Sequence, residues 1–292
     1  MKLIDINIRD PFILKENGTY YLYGTRAKDF GCGVAGFDVY KSTNLEDWSE
    51  PEVCFDSEKA GLNRHVNWAP EVHKYKSKFY MFATFTRGNG LRGTFSLVSD
   101  SPTGPFTLHS KKALTPDDWE CLDGTLYIDK NGEPYLVFCH EHTQIIDGTV
   151  CYIKLNEELT ESVGNAEYIF SGSSPYFIDK KPEGEHYITD GPFMYRTKSG
   201  ELLMIWSTFI NHQYSQCVAK SDNGEITGDF EHLPPLITDD GGHGMIFEAD
   251  GRLLLTFHTP NKSLEEHPTF IEIKDDGNNL ILKYQRVEEV EN

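Results

Sequence analysis

Short apolar runs rich in leucine and aromatic residues recur along the chain, at 20–23, 79–85, 135–138, 202–206 and 253–257. Each is too short for a helix and apolar at successive positions, as expected of strands covered on both faces. A similar phrase leads into each run. Asp10-Pro11-Phe12-Ile13-Leu14 passes through Gly18 to the first, and Ala69-Pro70-Glu71-Val72 leads to the second. Asp123-Gly124-Thr125-Leu126, Asp190-Gly191-Pro192-Phe193 and His243-Gly244-Met245-Ile246 lead, through Gly132, Gly200 and Gly251, to the other three. Strand, tight turn and strand is the reading in every case. Turn-rich segments at 42–48, 99–106 and 221–230 follow three of the phrases, and each carries an aromatic near its end. Helix signals are few: 157–167 is polar and lacks an apolar stripe. Five units of about 58 residues predict an all-β fold, a five-bladed β-propeller filling residues 1–292 as one domain.

In a propeller the first strand of each blade runs beside the axis, so the residues that open the five phrases meet at one mouth of the central channel. These are Asp10, Glu71, Asp123, Asp190 and His243. The ends of the second strands return to the same face and bring Thr25, Arg26, residues 84–87 and 139–142, Ser207, Thr208 and His258. Insertions at 31–36, 59–67, 144–148 and 171–187 are candidates for a pocket rim. Carboxylates closing on an axis are costly, because burial and mutual repulsion both raise their pKa values. The same cost lets a neutral carboxylic acid and an ionised carboxylate coexist at pH 7. Glycoside hydrolysis requires that combination.

Composition narrows the partners. A net charge of −19 repels phosphate backbones, which argues against nucleic acid and suits a neutral ligand or a cation. No run is long and apolar enough to suggest a membrane span. The first residues lack an apolar signal core, so the expected location is cytoplasmic unless a leader has been trimmed. Six cysteines are scattered without CxxC or zinc-like spacing and read as buried free thiols.

Arg9-Asp10-Pro11, Asn67-Trp68-Ala69-Pro70-Glu71, Leu122-Asp123-Gly124-Thr125 and Gly242-His243-Gly244-Met245 resemble, in order and spacing, the motifs of glycoside hydrolase family 43. The resemblance extends over all five units. It implies a five-bladed propeller that cleaves α-L-arabinofuranosyl or β-D-xylosyl linkages of plant-type oligosaccharides with inversion. By that resemblance Asp10 is the general base, and Asp123 tunes and orients the acid. His243 lies beside a calcium or other cation on the axis, often reached through water.

One motif departs from the pattern. Where the family carries Glu-Gly-Pro or Glu-Ala-Pro, with Glu as general acid, this chain has Thr189-Asp190-Gly191-Pro192. Aspartate is about 1.5 Å shorter, and proton transfer needs donor and acceptor within about 3 Å. Three readings stand: Asp190 is still the acid; Glu141, at the end of a second strand beside Asp123, reaches in instead; or the site binds sugar without efficient cleavage. Trp68 offers a flat ring for a sugar face, and Glu71 and Arg9 are further candidates for substrate contact. Each pick has a plainer reading. Asp-Pro and Asp-Gly are also turn dipeptides, Ala-Pro-Glu suits a structural strand start, and Arg9 and Arg26 suit surface charge. The rival classes are a carbohydrate-binding propeller without catalysis, a protein-binding scaffold, and five-bladed hydrolases of fructans or agar oligosaccharides.

Overall fold

The computed structural model describes residues 1–27 and 35–283. The alternation of apolar runs and turns resolves into five sheets, each of four antiparallel strands consecutive in sequence. Blade one comprises Ile8–Glu16, Thr19–Arg26, Phe37–Ser42 and Glu52–Phe55. Blade two comprises Asn67–Tyr75, Lys78–Thr86, Arg92–Ser99 and Thr107–Leu108. Blade three comprises Cys121–Ile128, Pro134–His140, Thr149–Leu155 and Ser162–Ser171. Blade four comprises Asp190–Arg196, Leu202–Ile210, Gln213–Ser221 and Phe230–Ile237. Blade five comprises Gly242–Ala249, Arg252–Thr259, His267–Asp275 and Leu280–Leu282. The strands of a blade are called inner, second, third and outer below. The five-bladed propeller expected from the sequence is the observed fold.

Second strands carry the core. Leu22, Tyr23, Met81, Phe82, Phe138, Ile205 and Trp206 are fully buried, sandwiched between their own blade and the next. Burying one such side chain contributes about 1.5–3 kcal/mol. Trp206 is therefore a core residue. The five described cysteines (54, 121, 139, 151 and 217) are buried free thiols, as expected, while Cys32 and residues 31–34 of the first insertion lie outside the described residues. Among the described residues no sheet borrows a strand from another, and side chains join the first and last blades. Asn7 Nδ2 donates to Leu264 O and Glu266 O, and Arg9 pairs with Glu266 at 3.2 Å.

Every inner strand breaks register with its neighbour at the same place, skipping two residues. The first skipped residue has a positive φ: Asp10, Ala69, Asp123, Gly191 and His243, all between 45° and 56°. Such a bulge re-aims the side chain it carries. This corrects two of the expected starters. In blade two the bulge residue is Ala69, where the phrase opens, and not Glu71 two positions later; in blade four it is Gly191, one position after Asp190.

Candidate active site

Two positions of the inner strands supply one pocket: the residue before the bulge, and the bulge residue itself. Arg9, Trp68, Leu122 and Asp190 hold the first position in blades one to four, and all line one pocket. Asp10, Asp123 and His243 hold the second position and line it too. Blade four swaps this order for a steric reason. A Cβ at Gly191 would come within 2.5 Å of the His243 ring, so its carboxylate can only stand one residue earlier. The pocket holds about 170 Å³ and is closed by Arg92, Glu141, His142, Ile188 and Tyr214. That is below the roughly 300–1,000 Å³ of pockets for larger ligands and fits one small ring. A larger cleft of about 450 Å³ beside Val53 and Pro105 gathers a single carboxylate, Asp56, whereas the axial pocket gathers four.

Asp10 is buried and fully partnered. Thr25 Oγ1 donates to its Oδ2 at 2.6 Å, and its Oδ1 lies 3.2 Å from His243 Nδ1 and 3.6 Å from Arg9 Nε. Burial alone would raise this carboxyl, but the charges of His243 and Arg9 and the Thr25 hydroxyl outweigh it and bring it down to about 2. His258 Nδ1 accepts the Asp10 backbone N–H at 3.2 Å, and burial pushes this imidazole down to about 3, so it serves as a neutral acceptor.

Asp190 titrates in the opposite sense. Burial, then the nearby carboxyls of Asp123 and Glu141, raise it to about 7 against the opposing pull of His243 and the Tyr214 hydroxyl, which donates to Oδ2 at 3.1 Å. One side of Asp190 stays open to the pocket, where a ligand can reach it. Asp123 is driven well above the carboxylate range by burial and then by Asp10; the Gly191 N–H bonded to its Oδ2 at 3.0 Å opposes this, and Glu141 and Glu71 add to the rise.

Glu141 is buried with both oxygens engaged. Its Oε2 takes Arg92 Nη2 at 2.7 Å, and its Oε1 caps the short helix His142–Ile145 through the His142 N–H at 3.2 Å. Arg92 also lies over the Trp68 ring, 5.2 Å from its centroid. Glu71 does not line the pocket; it is buried and pairs with His73 at 3.0 Å. Arg26 is clamped on Asp38 by two hydrogen bonds, away from the axis. Among the described residues no three His, Cys, Asp or Glu side chains are grouped to hold a metal ion.

Arg92 and Tyr214 escaped the sequence reading. Both lie at the start of third strands, which carry no repeated phrase. A usable signal existed: Arg92 pairs with Thr86, at the end of a second strand already expected at this face.

Comparison with known proteins agrees with this geometry. Residues 3–279 match the family described as glycosyl hydrolases family 43. An endo-arabinase from Bacteroides thetaiotaomicron is 36% identical over 96% of this chain and 99% of its own, with a TM-score of 0.86. The extracellular exo-α-(1→5)-L-arabinofuranosidase ArbA of Cellvibrio japonicus is 20% identical, over 85% of this chain and 73% of its own. An endo-1,4-β-xylanase from B. thetaiotaomicron, 22% identical with a TM-score of 0.79 and covering 96% of this chain and 95% of its own, shares the fold. With a propeller whose blade starts deliver carboxylates to one axial pocket, and a family match over nearly its whole length, the chain belongs to glycoside hydrolase family 43.

Proposed function

We propose that this glycoside hydrolase cleaves α-L-arabinofuranosyl linkages of arabinan-type oligosaccharides, with inversion, using Asp10 as base and Asp190 as acid. The observation that carries the roles is the split between the two carboxyls on one pocket, one held at about 2 and the other at about 7. At pH about 6 the first is an acceptor and the second still holds its proton, as a base and an acid must. An inverting pair leaves about 6.5–9.5 Å for a water. Asp10 and Asp190 stand on non-adjacent blades, with His243 of blade five between them, which suits such a gap. Asp10 takes a proton from water as it attacks the anomeric carbon, and Asp190 gives one to the departing oxygen. Asp123 holds the backbone beside the acid through Gly191. Trp68, steadied by Arg92, offers a face to the sugar, while Arg9 stiffens Asp10. Glu141 is the less favoured acid, since both its oxygens are already committed. Arabinan is preferred to xylan because the 36% identical relative is an endo-arabinase.

A calcium or other cation near His243 remains part of the proposal. Among the described residues no ligating trio surrounds this histidine, so His243 and water would hold the ion, and its charge would offset the axial carboxylates. No step above passes through it.

The test is to incubate the enzyme with α-1,5-linked arabino-oligosaccharides and follow the first product by proton NMR. The β-anomer appearing first supports the reading. The α-anomer first, or binding without cleavage, overturns it, and preferential hydrolysis of xylo-oligosaccharides overturns the choice of sugar.

A further inference from the structure

Four of the five blade junctions are tied alike. The N–H of each bulge residue meets a polar atom on the second strand of the preceding blade. Ala69 N–H bonds Thr25 Oγ1 at 2.7 Å, Asp123 bonds Thr84 Oγ1 at 3.0 Å, His243 bonds Ser207 Oγ at 2.7 Å and Asp10 bonds His258 Nδ1 at 3.2 Å. These four acceptors share one register position, opposite the residue before the bulge of their own blade. In blade three that position, opposite Leu122, is held by Cys139. A thiol is a weak acceptor, and the Gly191 N–H goes to Asp123 Oδ2 instead, at 3.0 Å.

The first junction shows what the missing hydroxyl does. Thr25 Oγ1 accepts from Ala69 and donates to Asp10 Oδ2 at 2.6 Å. There the axial carboxylate and the next blade's amide are linked by two hydrogen bonds through a hydroxyl. Between blades three and four they are linked by one bond, with no intermediary. Asp190 directly precedes Gly191 and moves with it.

We propose that Cys139 is a positioning residue: by withholding the hydroxyl link it lets Asp123 grip the Gly191 amide directly, which draws the start of blade four toward the axis and compensates for the short side chain of an aspartate acid. This rests on the reading of Asp190 as the acid. The shortened junction and the shortened acid then form a matched pair. Restoring a hydroxyl at position 139 moves Asp190 out of reach, and lengthening the acid moves it back.

A double-mutant cycle tests the pairing. Cys139→Thr, Asp190→Glu and the double variant are assayed on α-1,5-arabinobiose and on an aryl α-L-arabinofuranoside, whose leaving group needs little protonation. Each single change should lower kcat on the biose about tenfold, with KM little moved and a smaller loss on the aryl substrate. The double variant should return to within about threefold of the wild type. Cys139→Ser, which adds the hydroxyl without a methyl group, gives the same reading if the threonine variant does not fold. Additive losses in the double variant, or a serine variant with undiminished kcat on the biose, overturn the proposal. Asp190→Asn keeps the two levels apart. If it retains biose turnover, the acid assignment falls and this proposal with it; if it loses turnover while the cycle is additive, only the role of Cys139 falls.

Discussion

Asp10 and Asp123 occupy the same bulge position in blades one and three, at φ 55° and 56°, and sit in opposite surroundings. Asp10 faces Arg9, His243 and the Thr25 hydroxyl, and is held low. Asp123 follows Leu122 instead of an arginine, lies farther from His243, at 3.8 Å against 3.2 Å, and is held high by burial and by nearby carboxyls. The fold supplies the place, and the neighbours delivered by other blades decide the charge. Two identical residues in a repeat can thus serve as an ionised base and as a neutral prop.

The most severe way to break this comparison is to amidate each in turn. Asp10→Asn removes the proton acceptor and should cut kcat about 10³-fold on disaccharide and aryl substrates alike. Asp123→Asn replaces a largely neutral acid with a neutral amide whose oxygen still accepts the Gly191 N–H, and should cost only about tenfold. Steady-state kinetics of the two variants check this. Equal losses would mean that Asp123 acts as a charge and that the contrast is false.

Stability should respond to the acid in the reverse direction to activity. The folded carboxyl of Asp190 is raised to about 7, above its unfolded value near 4. Its contribution is therefore fully present below pH about 4 and is lost as pH rises through 7. Asp190→Asn cannot ionise and escapes that loss. Thermal melts should show the variant little changed at pH 4 but more stable than the wild type at pH 8, by about 2 kcal/mol once pocket water has screened part of the effect. A difference that does not grow with pH would place the Asp190 carboxyl in the ordinary range. Asp10 makes the opposite contribution: it is lowered, so its stabilisation is present above pH about 4 and is lost as pH falls through 2.

Much of this was legible in the residues and some was not. The repeat of short apolar runs was enough for the propeller, because strands packed on both faces must be apolar throughout. Asp10, Asp123 and His243 were readable because at each the polar residue opens its phrase and is itself the bulge residue. The residue that faces the site was misjudged in blade two, and the phase of the repeat in blade four. Ala69 adopts a positive φ that alanine seldom takes, and Glu71 was the nearest polar residue to stand for that blade. Gly191 holds the bulge of blade four because the His243 ring, far away in sequence, leaves no room for a Cβ. Arg92 binding Glu141 and Tyr214 binding Asp190 are likewise contacts between distant segments, set by the closing of the ring and by no local motif.

The pH dependence of kcat/KM offers the finest test of the Asp10–Asp123 contrast. With Asp10 at about 2 and Asp190 at about 7, activity on arabinobiose should be level between pH about 4 and 6, halve near 7 and fall about tenfold by 8. The upper limb should be weaker on an aryl arabinoside, whose leaving group departs without a proton. Asp123 is held well above the carboxylate range and keeps its proton while Asp190 titrates, so it adds no charge there. Asp123→Asn should therefore leave the upper limb in place, and the plateau keeps its lower boundary because Asp10 retains Arg9 and His243. A limb that moves to lower pH in Asp123→Asn would mean that Asp123 is ionised beside the acid and that its contrast with Asp10 is false. A limb that stays leaves Asp123 as a backbone anchor through Gly191, with no electrostatic part in the acid's chemistry.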